Sequence, residues 1–502
     1  MQKNIFKIIF ILLNFYTGVA QNITGKIIDS KTGQTIPYAN VKINGSENLV
    51  SNAEGYFTIS ENNSSDTAVM AVSYLGYIER HLTVKELKEL ALTIALEPGV
   101  VELQVVNVSN VRPNPLNIMA EVKKNLNLNY KSDGLPVKNK VFFRESYSLK
   151  PSKLDLEITK STGYSKKNLQ EVNTQVNAFT SKLIKQPPVV YSDILLNYYT
   201  KTTKKDDKSI FLSKLEVIKA TRLKDENNSS SLDDIQEKAS KLFLQHLDTT
   251  KYYRVKSGWF GSHDTISLRK DFHKKEKASQ LTTKKSDLNQ FIMQNNFLNS
   301  GRLTFVNQPE IYDYTYEGAI YSKENEFVYV LSFKPRKSKA QYIGKLYISE
   351  TDFAVLRADF ALAEGETVSG FNMKFLLGIK QSENVSTGTI IYKQNSSGVG
   401  YFLQYAAIET GQYIYLNRPI KFIEISSEER DVLALDLKIE TTIKTKKEYL
   451  NILKSESTQT TIVNLKEEDF KYLNLKHYDP KIWKDYGVIE PLEKMKQFQA
   501  GD

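Results

Sequence analysis

Apolar and polar residues alternate with a period of two through most of the C-terminal half of the chain. In the run 432–443, aliphatic residues from Leu433 to Ile439 occupy every second position, and charged residues such as Asp436 lie between them. Alternation of apolar and polar residues is typical of an antiparallel sheet with one face packed against the core and the other exposed to solvent. Eight or nine such runs in succession form a meander, which must curl because wide flat sheets are rare. The runs are 312–321, 326–333, 342–348, 353–361, 371–379, 389–392, 401–407, 412–425 and 432–443.

The N-terminal region, residues 22–97, alternates in shorter runs that turn-forming residues separate. In the turn 52–55, Gly55 supplies a backbone conformation that a β-carbon disfavours. Several short strands at this spacing indicate a β-sandwich. The predicted strands are 23–28, 37–43, 56–59, 68–74 and 92–96.

The motif of this region resembles a known domain family. The sequence ITGKIIDSKTGQTIPYANVKINGS is followed by VSNAEGYFTIS and by DTAVMAVSYLGY. It is similar to the carboxypeptidase-regulatory-like domain, a transthyretin-like sandwich that accompanies some zinc carboxypeptidases, TonB-dependent transporters and other exported proteins of Gram-negative bacteria. The resemblance implies a β-sandwich at 21–97 that carries no catalytic residue. The matching positions are Gly25, Asp29, Gly33, Pro37, Asn40, Val41, Gly45, Gly55, Phe57, Gly76 and Tyr77.

Helices are expected between the two β-rich regions. Asn114 can cap a helix whose first residue is Pro115 and which ends near Tyr130, so residues 98–136 are predicted as a linker and a helix. A capping residue, Ser231, predicts another helix just after it. A lysine-rich helical stretch is expected within residues 270–300.

The remaining residues 137–450 are predicted to form an α+β domain with a large curved antiparallel sheet. The segment YIGKLYISETDFAVLRADFAL, residues 342–362, resembles the strands of lipoprotein-carrier (Lol-like) half-barrels. Residues 451–502 are predicted as a C-terminal tail in which Trp483 and Tyr486 pack back onto the body. The predicted fold class is mainly β with some α, with an N-terminal transthyretin-like β-sandwich and this second domain.

The first twenty residues differ from the rest. Lys3 and Lys7 accompany a short apolar run, and Gly18 and Ala20 are small residues at the third-last and last positions, which is the pattern of a secretory signal peptide. We therefore expect residues 1–20 to direct export, with a retained N-terminal anchor as the alternative. A lipid-anchored protein needs a cysteine next, and Gln21 stands there. No later segment is long and apolar enough for a transmembrane helix.

The composition of the chain excludes several kinds of site and indicates possible partners. The chain has no cysteine, which excludes disulfides, thiol catalysis and thiolate metal sites. Its formal net charge is +10, and residues 131–300 hold 31 Lys and Arg against 19 Asp and Glu. Export argues against nucleic acid as a partner, so anionic lipid headgroups, lipopolysaccharide phosphates or acidic polysaccharides are the candidates for a basic surface. The alternative is a solvated lysine-rich surface that binds nothing.

The main enzymatic alternative is a zinc site of the carboxypeptidase kind, which needs two imidazoles and a carboxylate. Of the five histidines, His273 with Glu276 has the local spacing of two ligands, but the surrounding KDFHKKEKAS is a charged helical stretch. His263 and Asp264 could be half of a serine-type triad, but no G-x-S-x-G turn exists to present a nucleophile. We therefore predict no catalytic, cofactor-binding or metal-binding residues.

Aromatic residues are the remaining candidates for a binding site. Tyr312, Tyr314 and Tyr316 share one side of a predicted strand, where a core position is the preferred interpretation and a ligand pocket the alternative. The same choice applies to three aromatic pairs that lie near basic residues. These pairs are Tyr198 with Tyr199, Tyr252 with Tyr253, and Trp259 with Phe260.

These patterns predict an exported, non-catalytic binding or assembly module of the cell envelope, in the periplasm or at the outer membrane and cell surface. An envelope protein or an amphipathic or anionic ligand is the expected partner, and no cofactor is expected. The alternatives are a secreted zinc carboxypeptidase-like hydrolase and a purely structural envelope protein. The sequence does not indicate an oligomeric state.

Overall fold

The computed structural model describes most of the chain after the predicted signal peptide. Contacts divide the chain into two units: Met1–Val100 with Asp479–Leu492, and Val101–Tyr478 with Glu493–Asp502. No helix in the described ranges is both long enough and apolar enough to cross a membrane. The described residues are 22–99, 113–205, 208–225, 232–244, 247, 250–257, 260–267, 279–299, 301–321, 327–425 and 430–500.

The first unit contains two small sheets that share one core. Its strands are β1 (Ile23–Asp29), β2 (Asn40–Ile43), β3 (Glu47–Val50), β4 (Tyr56–Ile59), β5 (Val69–Ser73), β6 (Arg80–Thr83) and β7 (Thr93–Leu96), and helix α1 (Val84–Glu89) follows β6. One sheet has the order β4-β1-β7 and the other β3-β2-β5-β6. Ile27 and Phe57 from the first sheet and Val41 and Met70 from the second belong to the same buried cluster. Two sheets that enclose a common core form a β-sandwich, which confirms the predicted fold of this region.

Two local predictions in the sandwich have different outcomes. Gly55 has a φ of +82°, the left-handed conformation expected of that turn. Leu92, predicted to share a buried side with Ile94, lies before strand β7 and is 36% exposed. The strand begins at Thr93 because Ala91 and Leu92 both have positive φ values, which are incompatible with a strand.

A segment from the C-terminal tail, Asp479–Leu492, belongs to the same unit. The side-chain amide of Asn52 donates to the carbonyl oxygens of Glu490 and Pro491 at 3.2 and 3.3 Å. The Thr58 hydroxyl donates to the Glu490 carboxylate. Residues 479–492 therefore return to the sandwich, and Trp483 in this segment is buried, in agreement with a tail that packs back.

The second unit is built on one sheet, which has fourteen strands in the part of the chain that the structure describes. Its central path runs in the order β13-β14-β15-β16-β18-β19-β20-β8-β9-β10-β21, and β11, β12 and β17 attach beside it. Neighbouring strands are antiparallel except for β10 and β21. The strands are β8 (Val137–Ser161), β9 (Val189–Lys205), β10 (Lys208–Leu223), β11 (Tyr252–Ser257), β12 (Phe260–Ser267), β13 (Tyr312–Tyr321), β14 (Phe327–Pro335), β15 (Tyr342–Ser349), β16 (Val355–Leu362), β17 (Ser369–Met373), β18 (Ile379–Gln394), β19 (Tyr401–Glu424), β20 (Arg430–Glu456) and β21 (Leu473–Leu475).

The first helix of the second unit, α2, begins where its capping residue predicts. The side chain of Asn114 accepts a hydrogen bond from the Leu116 N–H at 2.9 Å, Pro115 is the first residue of the helix, and Tyr130 is its last, as expected. The helices are α2 (Pro115–Tyr130), α3 (Lys166–Lys185), α4 (Leu232–Leu244), α5 (Gln280–Gln294), α6 (Thr304–Asn307), α7 (Lys374–Leu377), α8 (Gln459–Asn464) and α9 (Glu493–Lys496).

Two groups of helices cover the same face of the large sheet. Tyr449 belongs to the larger buried cluster with helices α2, α5 and α6, and Leu433 belongs to a smaller cluster with helix α3. Both are odd-numbered positions of β20, whose pairing skips no β20 residue between them, so their side chains point to one face. We call this the inner face. The larger cluster takes residues from β13 at one side to β10 at the other, which fits the predicted curved sheet and confirms the mainly β fold class.

Some strands of the large sheet begin or end at other residues than the sequence predicts. The runs 401–407 and 412–425 form the single strand β19, and β20 continues to Glu456, past the predicted domain end at residue 450. The predicted strand 371–379 is wrong, because β17 ends at Met373 and the chain reverses through helix α7 before β18.

Candidate functional site: a groove on the inner face

Helix α6 fills the inner face over strands β14 to β16. The Phe305 ring is fully buried and stacks on Phe333 with 4.5 Å between ring centroids. Phe360 and Tyr342 lie 5.1 and 5.9 Å from the same ring. The protein's own side chains therefore fill the space over this part of the sheet, so it is not available to a ligand.

The aromatic residues proposed from sequence are mostly part of the core. Tyr312 and Tyr314 are buried in the larger cluster, as is Tyr198. Tyr253 is buried in the smaller cluster, whereas Tyr252 is 47% exposed. The core interpretation is confirmed for these four buried tyrosines. Trp259 lies outside the described residues, and the side chain of Phe260 is not described.

Between the two covered areas, apolar side chains form a continuous row across five strands. Met373, Ile379, Leu416, Ile439 and Leu154 are consecutive partners in the register of β17, β18, β19, β20 and β8. Met373 is 41% exposed and the other four are half-buried. Adjacent strands lie about 4.8 Å apart, so this apolar row is about 19 Å long.

The apolar row lies on the inner face. Leu416 occupies an even-numbered position of β19, between Ile408 of the larger cluster and Phe422 of the smaller one. β19 pairs without a skipped residue from Tyr405 to Glu424, so these three side chains point the same way. Among the described residues, the row is therefore a partly exposed part of the face that the helices cover on either side.

A second row, two residues further along each strand, is more polar. Phe371, Gln381, Ile414 and Thr441 are consecutive partners in the same strands. Phe371 is 48% exposed, and the Thr441 hydroxyl is buried with no hydrogen-bond partner among the described residues. The two rows together form an apolar floor with scattered polar atoms.

Two polar clefts adjoin this floor, one towards each end of the strands. The first, of about 200 Å³, lies beside helix α5 and is lined by Asp287, Arg302, Thr410, Thr445 and Lys447 among others. Its cationic groups outnumber the single carboxylate. The clefts and the two rows between them are called the groove below.

The second cleft, of about 600 Å³, lies beside helix α3. Its lining includes Asn173, Asn177, Arg418 and Leu437. The Arg418 guanidinium also donates to the Ser257 carbonyl oxygen at 2.6 Å. Thr410 in the first cleft and Arg418 in the second are eight positions apart on β19, which corresponds to about 26 Å of strand.

Charges at the first cleft are held in an ion-pair network. The ammonium groups of Lys284 and Lys447 contact the Glu145 carboxylate, the latter at 3.3 Å, and Lys284 lies 3.4 Å from Asp287. Burial alone would raise the pKa of Glu145, but the two ammonium groups outweigh it and lower that pKa. Burial alone would lower the pKa of Lys284, but Glu145 outweighs it and raises that pKa. Glu145 and Lys284 therefore stay ionised at neutral pH.

Tyr147 lies in the same part of the sheet, as the cross-strand partner of the cleft residue Thr445. Its hydroxyl is buried and has no hydrogen-bond partner within the described ranges. Burial raises the pKa of Tyr147 to about 12. A buried hydroxyl without a hydrogen-bond partner lowers the stability of the folded protein, because its loss of hydration is not compensated.

We predict that Tyr147→Phe raises the free energy of unfolding by about 1 kcal/mol, because it removes an unsatisfied buried hydroxyl while keeping the ring. Urea unfolding followed by circular dichroism measures this. A loss of similar size would show that the hydroxyl has a partner in the folded protein.

The residues of the zinc alternative lie outside the part of the chain that the structure describes. His273 and Glu276 lie outside the described residues, as does His246, and the side chains of His263 and Asp264 are not described. His81 contacts Glu79 at 2.9 Å on the surface of the sandwich. Among the side chains that the structure describes, no group of three or more His, Asp or Glu is placed to hold a metal ion.

Sequence comparison identifies the N-terminal domain. Residues 23–108 match the model of the CarboxypepD_reg-like domain, which confirms the resemblance found in the motif residues. No curated protein matches the chain.

Solved structures give only distant matches. A DUF1329 family protein from Desulfovibrio piger is 9% identical, with 68% of this chain and 92% of that chain covered and a TM-score of 0.18. The MucA/MucB complex of Pseudomonas aeruginosa is 7% identical, with coverages of 68% and 98% and a TM-score of 0.15. Scores this low carry no argument about the second unit, so the Lol-like resemblance there stays a prediction.

Proposed function

We propose that the protein is an exported binding module of the cell envelope, and that the groove holds the apolar part of an amphipathic ligand. The observation that carries this proposal is the apolar row from Met373 to Leu154, which is partly exposed in the described structure between two helix-covered areas. Aliphatic side chains on one sheet face are normally buried against another layer, and a ligand chain would supply that layer.

The size and polarity of the groove support this ligand class. The apolar floor can contact an extended hydrocarbon chain. Thr410 in the first cleft lies six positions along β19 from Leu416, about 20 Å, so a chain that runs along the strands reaches that cleft. Arg302 and Lys447 in the first cleft offer charge-assisted hydrogen bonds to an anionic headgroup. Binding sites for small molecules commonly combine an apolar lining with a few polar groups that fix orientation.

The proposal assigns no catalytic step to the protein. A zinc hydrolase that used His273 and Glu276 remains the competing function from sequence. Metal analysis of the purified protein distinguishes the two: the binding module is isolated without stoichiometric zinc, and His273→Ala leaves ligand binding unchanged. Stoichiometric zinc that this substitution removes would contradict a purely binding role.

The N-terminal sandwich would have a different role from the groove. We assign to it the contact with an envelope partner protein, on the strength of its match to the CarboxypepD_reg-like domain.

We predict that Leu416→Asp or Ile439→Asp weakens ligand binding at least about tenfold, because each places a charge in the apolar floor against the hydrocarbon chain. Displacement of a fluorescent fatty acid measures the affinity, and mass spectrometry of an organic-solvent extract identifies any co-purified lipid. The matched control is Leu128→Asp on helix α2, where Leu128 is 63% exposed and remote from the row in sequence. Unchanged affinity in the row variants would remove the groove as the site.

The headgroup assignment has its own test. In the Arg302→Gln, Lys447→Gln double variant, affinity falls for the anionic fatty-acid probe and is retained for the matching neutral alcohol. An equal fall for both probes would show that the first cleft does not hold the headgroup.

A further inference from the structure

The turn between strands β17 and β18 exposes an unusual amount of apolar surface. Phe375 is 98% exposed and Leu376 is 76% exposed, both in helix α7. A soluble protein surface carries isolated apolar side chains, but two large adjacent ones that touch almost nothing mark an interaction site. We call residues 374–377 the apolar tip.

The apolar tip has a fixed conformation. Gly378 adopts a φ of +65° and its N–H donates to the Lys374 carbonyl oxygen at 3.1 Å, which ends the helical turn. The Gly378 carbonyl oxygen accepts from the Asn417 N–H of β19 at 2.7 Å. A β-carbon at Gly378 would lie 2.2 Å from the Asn417 carbonyl oxygen, so the turn is pressed against β19. The exposure of Phe375 is therefore a property of an anchored turn.

Positive charge accompanies the apolar tip. Lys374 and Lys380 are the only charged residues in the segment 369–382. Their ammonium groups lie 4.0 Å from the Tyr415 ring centroid and 5.6 Å from that of Tyr413, which places both beside the tip.

The carboxylates nearest to the tip in the strand pairing, Glu383 and Glu440, lie away from the tip or bind another side chain. Glu383 pairs with Ser369 at the far end of the β17–β18 hairpin. Glu440 accepts a hydrogen bond from the Tyr413 hydroxyl at 2.7 Å. The tip itself therefore combines bulky apolar groups with an excess of positive charge.

We propose that the apolar tip is a membrane-contact element, which inserts Phe375 and Leu376 at the boundary between the headgroups and acyl chains of an anionic bilayer. Lys374 and Lys380 would then lie at the level of the headgroup phosphates, with their aliphatic stems along the apolar surface. Apolar burial and attraction of lysines to anionic lipid add together in such contacts. An apolar pocket on a protein would satisfy the two apolar side chains but gives no reason for both flanking charges to be positive.

This inference goes beyond the ligand-binding proposal and does not depend on it. The groove would take single molecules on its apolar floor, whereas the tip would bring the protein to a lipid surface. Variants of the row and variants of the tip therefore affect different measurements.

The first test is sedimentation with vesicles of phosphatidylglycerol and phosphatidylcholine. The protein is the exported chain recovered from expressing cells, with its N-terminus determined by mass spectrometry. We expect Phe375→Gln, Leu376→Gln to reduce vesicle binding at least about tenfold, because the variant removes the inserted apolar surface and leaves charge unchanged. The control is Leu116→Gln, Leu128→Gln, which removes two exposed apolar residues from helix α2 and leaves binding unchanged.

The second test separates the charge from the apolar contribution. Lys374→Gln, Lys380→Gln weakens binding to vesicles that contain phosphatidylglycerol, and added salt reduces the difference from the unmodified protein. Ile439→Asp in the groove, which lies on β20 and is separated from the β17–β18 turn by β19, lowers fatty-acid affinity but leaves vesicle binding intact. Failure of the groove and failure of the tip are therefore distinguishable.

The third test places the side chain in the bilayer. Phe375→Trp keeps a large apolar group at the tip, and its fluorescence shifts to the blue and is quenched by brominated acyl chains when vesicles bind. Vesicle binding without quenching at this position would overturn the proposal. So would equal binding by the Gln variant of the tip, or a tip that binds a purified envelope protein while the chain ignores vesicles.

Discussion

Replacing Asp193 with alanine lowers the free energy of unfolding of the second unit by about 3–5 kcal/mol, because it leaves a buried guanidinium without its partner. The Arg144 Nε and terminal nitrogen donate to the two oxygens of Asp193 at 2.7 Å each. The exposed fractions of the two side chains are 5% and 0%. Burial alone would lower the pKa of Arg144, but in the native protein the Asp193 charge outweighs it and raises that pKa. A guanidinium is in effect never deprotonated in a protein, so Arg144 stays charged in the variant.

Scanning calorimetry measures this effect, since it resolves separate transitions if the two units unfold independently. The control is the double variant Arg144→Met, Asp193→Leu, which removes both charges and leaves apolar side chains. It should recover most of the lost stability, because a buried ion pair is often no more stabilising than an apolar pair of similar volume. A double variant as unstable as Asp193→Ala would mean that packing, and not the unpaired charge, causes the loss.

The local pattern of the chain predicts a large part of the fold. Leu433 and Leu435 point to one face of β20, as alternation predicts, because the β20 positions that follow pair without a skipped residue. Helix α2 begins after Asn114 as predicted, because a cap is satisfied by residues within one turn. Predictions of this kind depend only on neighbours in sequence.

The apolar tip shows where alternation fails. Phe371, Met373, Phe375, Leu377 and Ile379 alternate as a buried strand would. The chain nevertheless turns there, because Gly378 takes the left-handed conformation. A Gly after a short apolar run was the available signal, and the longer alternating pattern concealed it.

The groove could not be predicted because it depends on register and on what the helices leave uncovered. Leu154 and Ile439 are far apart in the chain, and they become partners only because β8 pairs with β20 in one particular register. Register between long strands follows from the whole sheet and from its bulges, such as the one between Glu440 and Thr441. No local pattern distinguishes an uncovered Ile439 from the covered Leu435.

Replacing Phe305 with alanine is expected to lower the free energy of unfolding by about 3–5 kcal/mol, because it opens a cavity under the inner face. The ring is fully buried, and its backbone is held in place: the Tyr314 hydroxyl donates to the Phe305 carbonyl oxygen at 2.7 Å, and the Thr304 hydroxyl lies 2.9 Å from that of Tyr312. A backbone fixed on both sides cannot collapse into the space, which favours the upper part of the range.

The same substitution at the tip provides the control. Phe375→Ala removes an identical ring that is 98% exposed, so it should change stability by no more than about 0.5 kcal/mol. Chemical unfolding of the two variants under the same conditions measures the contrast. Equal losses would show that Phe375 is buried in the folded protein. They would count against the special contribution of the Phe305 ring to the core and against the membrane-contact role of the tip.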